Sequence, residues 1–175
     1  TACLDTETGR KLWERRDLNC DHRVRPASSP IIDDGLIFLV YDGVDVQFIT
    51  ALDKESGQTR WLENRKMKND LATVLTTGGL KDVEETLKEK PNDNRKSYAT
   101  PTIIEHNGQK LLISPAAEAT FAYDPQTGKE LWRVRHQGWG WNVACRPIYS
   151  SGLVFFTTGV AKILVAVDPS GSGDV

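Results

Sequence analysis

A short motif recurs along the chain and constrains its architecture more tightly than any other feature. It reads CLDTETGRKLW at 3–13, ALDKESGQTRW at 51–61 and AYDPQTGKELW at 122–132. Each copy has a small residue, an Asp two positions later, a Gly four positions after the Asp and a Trp four after the Gly. A fourth copy, AVDPSGSGDV at 166–175, begins in the same way and ends before a Trp. Self-similarity of this kind indicates a repeat architecture.

A second series of landmarks follows the same spacing. Three prolines each open an apolar run that ends in Gly, and they are Pro30, Pro101 and Pro147. A β-rich run follows each Gly, a third apolar run leads into the Asp of the motif, and the Trp-bearing run comes last. Each period therefore holds four short strands, labelled A to D, separated by turn residues. Four antiparallel strands in a period of about 45 residues are typical of a β-propeller blade.

The sequence thus predicts an all-β fold, a partial β-propeller of about three and a half blades with a short helical insertion near 80–90. The expected units are strands C and D of a first blade at 1–16, a second blade at 27–64, an insertion at 65–97, a third blade at 98–136 and a fourth blade without strand D at 142–175. Strand A of the fourth blade is expected near 143–149. The end blades would expose apolar edges, which recruit other chains, so we expect association or a need for missing blades.

The repeated motif has a physical explanation as the turn between strands C and D. The Asp side chain can accept hydrogen bonds from turn N–H groups, and the Gly supplies a positive φ. The Trp then falls on strand D, where a large aromatic side chain can cover the blade edge. The positions with these predicted structural roles are Asp5, Asp53, Asp124, Gly9, Gly57, Gly128, Trp13, Trp61 and Trp132.

These motifs resemble the tryptophan-docking repeat of pyrroloquinoline-quinone-type β-propellers. That family includes quinoprotein alcohol dehydrogenases and a non-catalytic propeller lipoprotein of outer-membrane assembly. The resemblance covers nearly the whole chain except roughly 65–97. It implies that each Trp stacks between the small residue of its own blade and the glycine turn of an adjacent blade. It also implies a periplasmic or extracellular location.

The insertion contains one predicted helix near 80–90, which Pro91 would end. Three apolar residues share a face, and they are Leu80, Val83 and Leu87. Two charge pairs have helical spacing, Lys81 with Glu85 and Glu84 with Lys88. The insertion could be a lid or docking arm, or a helix that covers a little apolar surface. We favour the second interpretation, because such loops tolerate insertions, and expect the sheets to survive removal of 66–96.

In a propeller, the D–A and B–C loops gather on one face, and here they are rich in polar and aromatic residues. The candidate binding residues are His22, Arg23, Arg25, His136, Trp139, Trp141, Asn142 and Arg146, with Asn19, Asp21, Asp42, Asp45 and Glu118 beside them. A binding site would have this composition. The two histidines are expected to be surface or turn residues rather than catalytic groups. Trp139 and Trp141 could either form the floor of a ligand pocket or plug the channel.

Composition and motifs exclude several classes of function. The net charge is −2 and the basic residues are scattered, which argues against nucleic-acid binding. No apolar run approaches the roughly 20 residues of a membrane span. The three cysteines Cys3, Cys20 and Cys145 have no metal-ligand spacing. Motifs of hydrolases, kinases and metalloproteases are absent, so no catalytic or metal-binding residue is predicted.

We therefore predict a non-catalytic binding or scaffolding module, with a protein partner or the missing blades of a longer chain bound to it. No cofactor is predicted. The alternative is part of a dehydrogenase that uses pyrroloquinoline quinone with calcium. Catalytic members of the resembled family often carry two adjacent cysteines, which this chain lacks, and no residue here matches the calcium ligands by motif.

Overall fold

A computed structural model describes residues 1–67, 83–136, 138–139 and 141–175. These residues form four sheets built from short strands. The first sheet pairs β1 (Ala2–Leu4) with β2 (Lys11–Glu14). The second is the complete blade β3 (Ile31–Asp33), β4 (Leu36–Asp42), β5 (Gln47–Asp53) and β6 (Thr59–Asn64).

The third blade is also complete, and the fourth has three strands. The third contains β7 (Thr102–His106), β8 (Gln109–Pro115), β9 (Ala119–Tyr123) and β10 (Glu130–Arg135). The fourth contains β11 (Ile148–Ser150), β12 (Leu153–Thr157) and β13 (Leu164–Val167). Consecutive strands within each blade are antiparallel. The prediction of an all-β partial propeller with one short helix is confirmed.

The A–B hairpins share one turn chemistry. Two successive residues have positive φ in each, and the pairs are Asp34–Gly35, Asn107–Gly108 and Ser151–Gly152. Turns of this kind match the right-handed twist of the flanking strands. They set the register that places alternate side chains of strands A and B on the same face of the blade.

A β-bulge recurs in the C–D hairpins, next to the repeated Trp. In the second blade Trp61 lies opposite Ala51, but Thr59 lies opposite Leu52, so Arg60 is left without a partner. The first and third blades shift register at the same position. A bulge bends its strand and changes the direction of the following side chain. The bulge therefore helps to direct each Trp side chain beyond the edge of its own blade.

The core lies between neighbouring blades rather than within one blade. The cluster between the second and third blades includes Phe38, Phe121 and Tyr123, all fully buried. The cluster between the third and fourth includes Trp132 and Phe156. Burial of each such side chain contributes roughly 1.5–3 kcal/mol. Adhesion between blades is therefore the main source of stability.

The insertion is more tightly integrated than the sequence suggested. Its helix α1 spans Val83–Glu89, and Leu87 packs into a buried cluster with Ala117 and Trp141. The predicted pair of Glu84 with Lys88 forms on the exposed side at 2.9 Å. The helical positions Leu80 and Lys81, and the predicted pair of Lys81 with Glu85, lie outside the described residues.

The segment after the helix was expected to be a polar surface loop, and it is largely buried. Asp93, Lys96 and Ser97 are each at most 7% exposed. The Ser97 N–H donates to the Asp42 carbonyl at 3.3 Å, and its Oγ lies 3.2 Å from the Val143 carbonyl oxygen. The return segment therefore joins the second blade to the chain entering the fourth, which argues against removing all of 66–96 without loss.

Two features of the fourth blade differ from expectation. Strand A begins at Ile148 rather than near 143, because Val143 pairs with the return segment: it forms a bridge with Ser97, and its carbonyl accepts the Tyr98 N–H at 2.8 Å. The chain end does not cover β13. Instead β14 (Gly173–Asp174) pairs in parallel with β10 of the third blade, and Leu164 on β13 is 67% exposed. Among the described helices, none has the length and apolarity needed to cross a membrane.

Candidate functional site

The C–D turns are closed by their Asp side chains. In the second blade, Asp53 Oδ1 accepts hydrogen bonds from the N–H groups of Glu55 and Ser56, at 3.1 and 2.9 Å, and from Ser56 Oγ at 2.8 Å. The hydrogen bond from the Ser56 hydroxyl is the main cause that lowers the pKa of Asp53. The turns at Asp5 and Asp124 have the same main-chain bonds.

The rings of Trp13 and Trp61 each pack against the glycine turn of the next blade along the chain. A Cβ placed on Gly57 would lie 2.6 Å from ring atoms of Trp13, and one placed on Gly128 would lie 2.6 Å from those of Trp61. No atom lies within 4 Å of the corresponding point at Gly9. The indole N–H also bonds the turn that it meets, from Trp13 to the Lys54 carbonyl at 3.0 Å.

The same indole bond recurs at both later turns, but the third interface is less closely packed. Trp61 donates to the Pro125 carbonyl at 2.9 Å and Trp132 to the Pro169 carbonyl at 3.0 Å. In the fourth turn, Ser172 stands where the other turns have Gly. A cavity of about 360 Å³ lies beside Trp132 there. The A–B and C–D turns form what we call the turn face, opposite the loop face of D–A and B–C loops.

On the loop face, a buried ion pair joins the second and third blades. Arg65 Nε lies 2.9 Å from an oxygen of Asp42, both side chains are fully buried, and the contact lacks hydrogen-bond alignment. Arg65 also donates to the Ser114 carbonyl and hydroxyl, at 3.2 and 2.7 Å, and lies over the Phe121 ring. Burial raises the pKa of Asp42, and the nearby guanidinium opposes that rise.

The two candidate histidines are packed inside. His22 stacks on Tyr98 with ring centroids 5.3 Å apart, and burial followed by the nearby Lys96 lowers its pKa. His136 is 1% exposed, with Nε2 3.3 Å from the Thr120 hydroxyl, and burial lowers its pKa to about 4. Neither histidine lies at the surface: Tyr98 covers His22, and His136 packs against Thr120 of β9 and Phe156 of β12.

The two loop tryptophans differ. Trp141 is buried against α1, and its indole N–H points to Asp93 at 3.4 Å, so it plugs the space under the helix rather than forming a pocket floor. Trp139 is half-buried, and its carbonyl accepts the Ala161 N–H at 3.0 Å. Asn142, half-buried with φ 61°, donates its N–H to the Lys96 carbonyl at 3.1 Å.

The three arginines of the predicted set are exposed, as are Asn19, Asp21 and Asp45. Arg23 donates to the Pro91 carbonyl, Arg146 donates to the Thr102 hydroxyl at 3.2 Å, and Arg25 is exposed. The remaining acidic candidates serve the loops: Asp45 accepts the Asp21 N–H at 2.9 Å, and Glu118 lies 3.4 Å from Arg135. Asn19 is exposed, with its amide 3.4 Å from the Arg16 carbonyl.

The cysteines and acidic residues form no obvious reactive centre in the described part of the chain. Cys3, Cys20 and Cys145 are free thiols, and burial raises the pKa of Cys20 to about 12. Within the described ranges, His, Cys, Asp and Glu side chains do not gather in groups of three or more that could hold a metal ion.

Sequence reasoning missed Arg65, which the insertion boundary placed in a loop. One signal could have found it: Arg65 follows Trp61 by four residues, as His136 follows Trp132. Both residues directly follow strand D and are buried, and each donates its N–H to a carbonyl at or just before the start of strand C in its own blade, that of Gln47 or Glu118.

Comparison with known proteins shows which proteins this chain resembles. A family model described as outer membrane protein assembly factor BamB matches residues 1–87. A quinoprotein ethanol dehydrogenase from Pseudomonas putida is 28% identical over 140 residues, covering 74% of this chain and 19% of that protein. The structure of BamB from Moraxella catarrhalis matches with a TM-score of 0.64 at 16% identity, over 98% of this chain and 44% of that chain.

A second similar solved structure is that of a dehydrogenase. Quinohemoprotein alcohol dehydrogenase ADHIIG from Pseudomonas putida HK5 matches with a TM-score of 0.60 at 15% identity, over 98% of this chain and 30% of that chain. The chain thus spans less than half the length of each of these relatives. Its tryptophan-docking repeats, its four-stranded blades and these matches identify the chain as a β-propeller of the pyrroloquinoline-quinone repeat type.

Proposed function

We propose that this chain is part of a propeller module that binds a protein partner through a non-catalytic loop face. The main supporting observation is which loop-face side chains are buried and which are exposed. His22, His136 and Trp141 are buried, while Arg23, Arg25 and Arg146 remain exposed. Reactive side chains that are packed inside cannot meet a substrate, whereas exposed cations attract acidic segments of a partner.

The rigidity of this face also favours binding. The return segment fixes the B–C loop of the second blade, because Arg95 donates to the Val44 carbonyl at 3.3 Å and to the Gln47 amide oxygen at 2.8 Å. Lys96 pairs with Asp93 at 2.5 Å in the same segment. A surface that is ordered before binding loses less conformational entropy when a partner docks. We place the module outside the cytoplasm, as is implied for its relatives.

Site-specific photo-crosslinking in the native cell tests the proposal. A photoreactive amino acid replaces Arg25 or Arg146 on the loop face, and Lys54 or Lys129 on the turn face serves as the matched control. We expect protein adducts from the loop-face positions, reduced at least several-fold when the remaining exposed arginines are changed to Gln. Equal adducts from both faces, or none from the loop face, would contradict the proposal.

Part of a quinone-dependent dehydrogenase is the second candidate, favoured by the 28% identity to the ethanol dehydrogenase. Calcium requires several converging oxygen ligands. In the described residues the buried Asp42 carboxylate is already paired with Arg65, and no acidic cluster converges, so the residues present do not fit such a site. Titration with pyrroloquinoline quinone and Ca²⁺ separates the candidates, because a saturable change in quinone absorbance would support the dehydrogenase.

A further inference from the structure

The turn face between the third and fourth blades contains a histidine with a complete set of hydrogen-bond partners. His106 Nδ1 lies 2.9 Å from the Tyr149 hydroxyl, and Nε2 lies 2.8 Å from Ser170 Oγ. The Asn107 side-chain amide nitrogen is 3.0 Å from the same Nε2. The Asp168 carboxylate lies 3.9 Å from this ring nitrogen. These groups belong to β7, the β7–β8 turn, β11 and the fourth C–D turn.

The partners determine the tautomer of this ring. An amide nitrogen donates and cannot accept, so the contact with Asn107 makes Nε2 an acceptor. The ring proton then resides on Nδ1, which donates it to the Tyr149 oxygen. The Ser170 hydroxyl lies 2.8 Å from Nε2 and shares its proton between this nitrogen and the Asp168 carboxylate, whose pKa is lowered by the Ser170 N–H and then by the Ser170 hydroxyl. A hydroxyl within hydrogen-bond distance of a neutral imidazole, which a third group orients through its other nitrogen, matches the arrangement of a serine nucleophile and its base.

The hydroxyls of the first and second C–D turns share with Ser170 a hydrogen bond to the turn Asp, but within the described residues neither of them contacts a histidine. Ser56 Oγ donates to Asp53 at 2.8 Å, and Thr8 Oγ1 donates to Asp5 at 2.7 Å. Each of these hydroxyls occupies the third position after its Asp, whereas Ser170 occupies the second. The shift accompanies the altered DPSGSG sequence and brings the Ser170 hydroxyl to the histidine. The first and second turns thus provide internal controls for the histidine contact.

The pair borders a cavity large enough for a small molecule. His106 and Ser170 line the cavity of about 360 Å³, and its apolar part is formed by Leu111, Leu131 and Trp132. This volume lies within the range of about 300–1,000 Å³ for ligand pockets. Its lining includes no Lys, Arg, Asp or Glu. A charged substrate would lose hydration there without a partner, so an uncharged one is favoured.

We propose that Ser170 and His106 form a nucleophile and base that hydrolyse small uncharged carboxylic esters in this cavity. The Ser170 oxygen forms a bond to the acyl carbon while its proton moves to His106 Nε2. The ester C–O bond breaks, and the alcohol leaves with that proton. Water then attacks the acyl carbon, giving its proton to Nε2, and the acid is released as the proton returns to Ser170. The Asp168 carboxylate lies where it stabilises the transient imidazolium.

Hydrolysis of p-nitrophenyl acetate and labelling by an uncharged fluorophosphonate test this proposal. Base assistance contributes about 10²–10⁴-fold to such reactions, so we expect at least a tenfold loss of rate in Ser170→Ala and in His106→Gln. Ser56→Ala should keep the wild-type rate. Peptide mass spectrometry should place the phosphonyl adduct on Ser170, with the adduct strongly reduced in His106→Gln.

The outcomes separate the proposal from background esterolysis. Ser170 is exposed, so its replacement by Ala is expected to leave the fold intact, and a thermal melt verifies this. A Ser170→Ala variant that folds and retains the wild-type rate would overturn the proposal. A phosphonyl adduct found on other residues with equal yield would also overturn it. Neither result would affect the proposed loop-face binding, which lies on the opposite face.

Discussion

The interface between the second and third blades and the interface between the third and fourth use the same tryptophan in different surroundings. Trp61 and Trp132 both donate their indole N–H to the carbonyl that follows the turn Asp, at 2.9 and 3.0 Å. Gly128 lies directly on the Trp61 ring. At the other interface Ser172 replaces the glycine, and a cavity of about 360 Å³ remains beside Trp132.

The second–third interface is also reinforced on both faces. Arg65 pairs with Asp42 on the loop face, and Lys110 contacts Asp33 and Asp34 at 2.8 and 2.7 Å on the turn face. At the third–fourth interface His106 hydrogen-bonds Tyr149 and Ser170 on the turn face, and an ion pair joins Arg135 to Asp174 at 2.6 Å. The comparison teaches that the Trp determines where blades meet, whereas the residue at the glycine position determines how closely they pack.

The largest expected effect concerns the return segment that joins these interfaces. Deleting 66–96 removes Asp93, Arg95 and Lys96, which leaves the Gln47 and Val44 partners unsatisfied, so we expect loss of cooperative unfolding. Deleting only 68–90, with a short Gly/Ser linker, keeps the return segment and should preserve a cooperative transition. Thermal melts followed by circular dichroism distinguish the two variants. Equal, cooperative melts would show that the return segment is dispensable.

Truncation of the docking tryptophans should come next. Trp132→Ala should lower the free energy of unfolding by roughly 3–5 kcal/mol, as expected for a large buried side chain. Trp61→Ala should approach the lower end of that range, because its partly buried ring packs against the core cluster of the second and third blades. Trp139 is half-buried like Trp61 but belongs to none of the described hydrophobic clusters, so Trp139→Ala should cost clearly less. Urea denaturation measures all three. Equal losses would remove the distinction between docking and loop tryptophans.

The glycine position offers a matched pair of substitutions. Gly128→Ala introduces a methyl 2.6 Å from the Trp61 ring, so strain at positive φ and overpacking together should cost roughly 2–4 kcal/mol. Gly9 has nearly the same φ, 70° against 74°, and nothing within 4 Å. Gly9→Ala should therefore cost only the backbone strain, roughly 1–2 kcal/mol. Similar losses in both variants would mean that contact with the ring is unimportant.

The smallest of these effects is a pH dependence carried by His136. Burial lowers the pKa of His136 from 6.5 to about 4 in the folded chain, so the unfolded chain takes up the proton first as the pH falls. The stability that its neutral form contributes is complete above pH 6.5 and is lost between pH 6.5 and 4. Relative to His136→Gln, the wild type should lose about 2 kcal/mol on going from pH 7 to pH 5.

That comparison must be made between the two variants, because Asp42 titrates with the opposite sign. Burial raises the pKa of Asp42 to about 6, so the folded chain binds this proton more readily and gains relative stability as the pH falls through that range. The difference between wild type and His136→Gln cancels this contribution. A difference that stays constant from pH 7 to pH 5 would contradict the buried, neutral His136.

Local sequence patterns were sufficient to predict the blades, but they were not sufficient to predict the side-chain contacts of the loop face. The spacing of Asp53, Gly57 and Trp61 encodes a turn and a strand within eleven residues, so the repeat revealed the fold. The pair of Asp42 with Arg65 and the packing of Trp141 on Leu87 join residues far apart in sequence. His22 is buried by Tyr98, which is distant in sequence, and no local pattern records that contact.

A double-mutant cycle on Trp61 and Gly128 tests most directly whether contact between the ring and the glycine turn holds neighbouring blades together. Free energies of unfolding are measured for the wild type, Trp61→Ala, Gly128→Ala and the double variant. Without the ring, Gly128→Ala should cost only its backbone strain, so we predict a coupling energy of roughly 1–2 kcal/mol between the two positions. If Gly128→Ala lowers the free energy of unfolding equally with and without Trp61, contact between the ring and the turn does not hold the blades together, and the central claim is wrong.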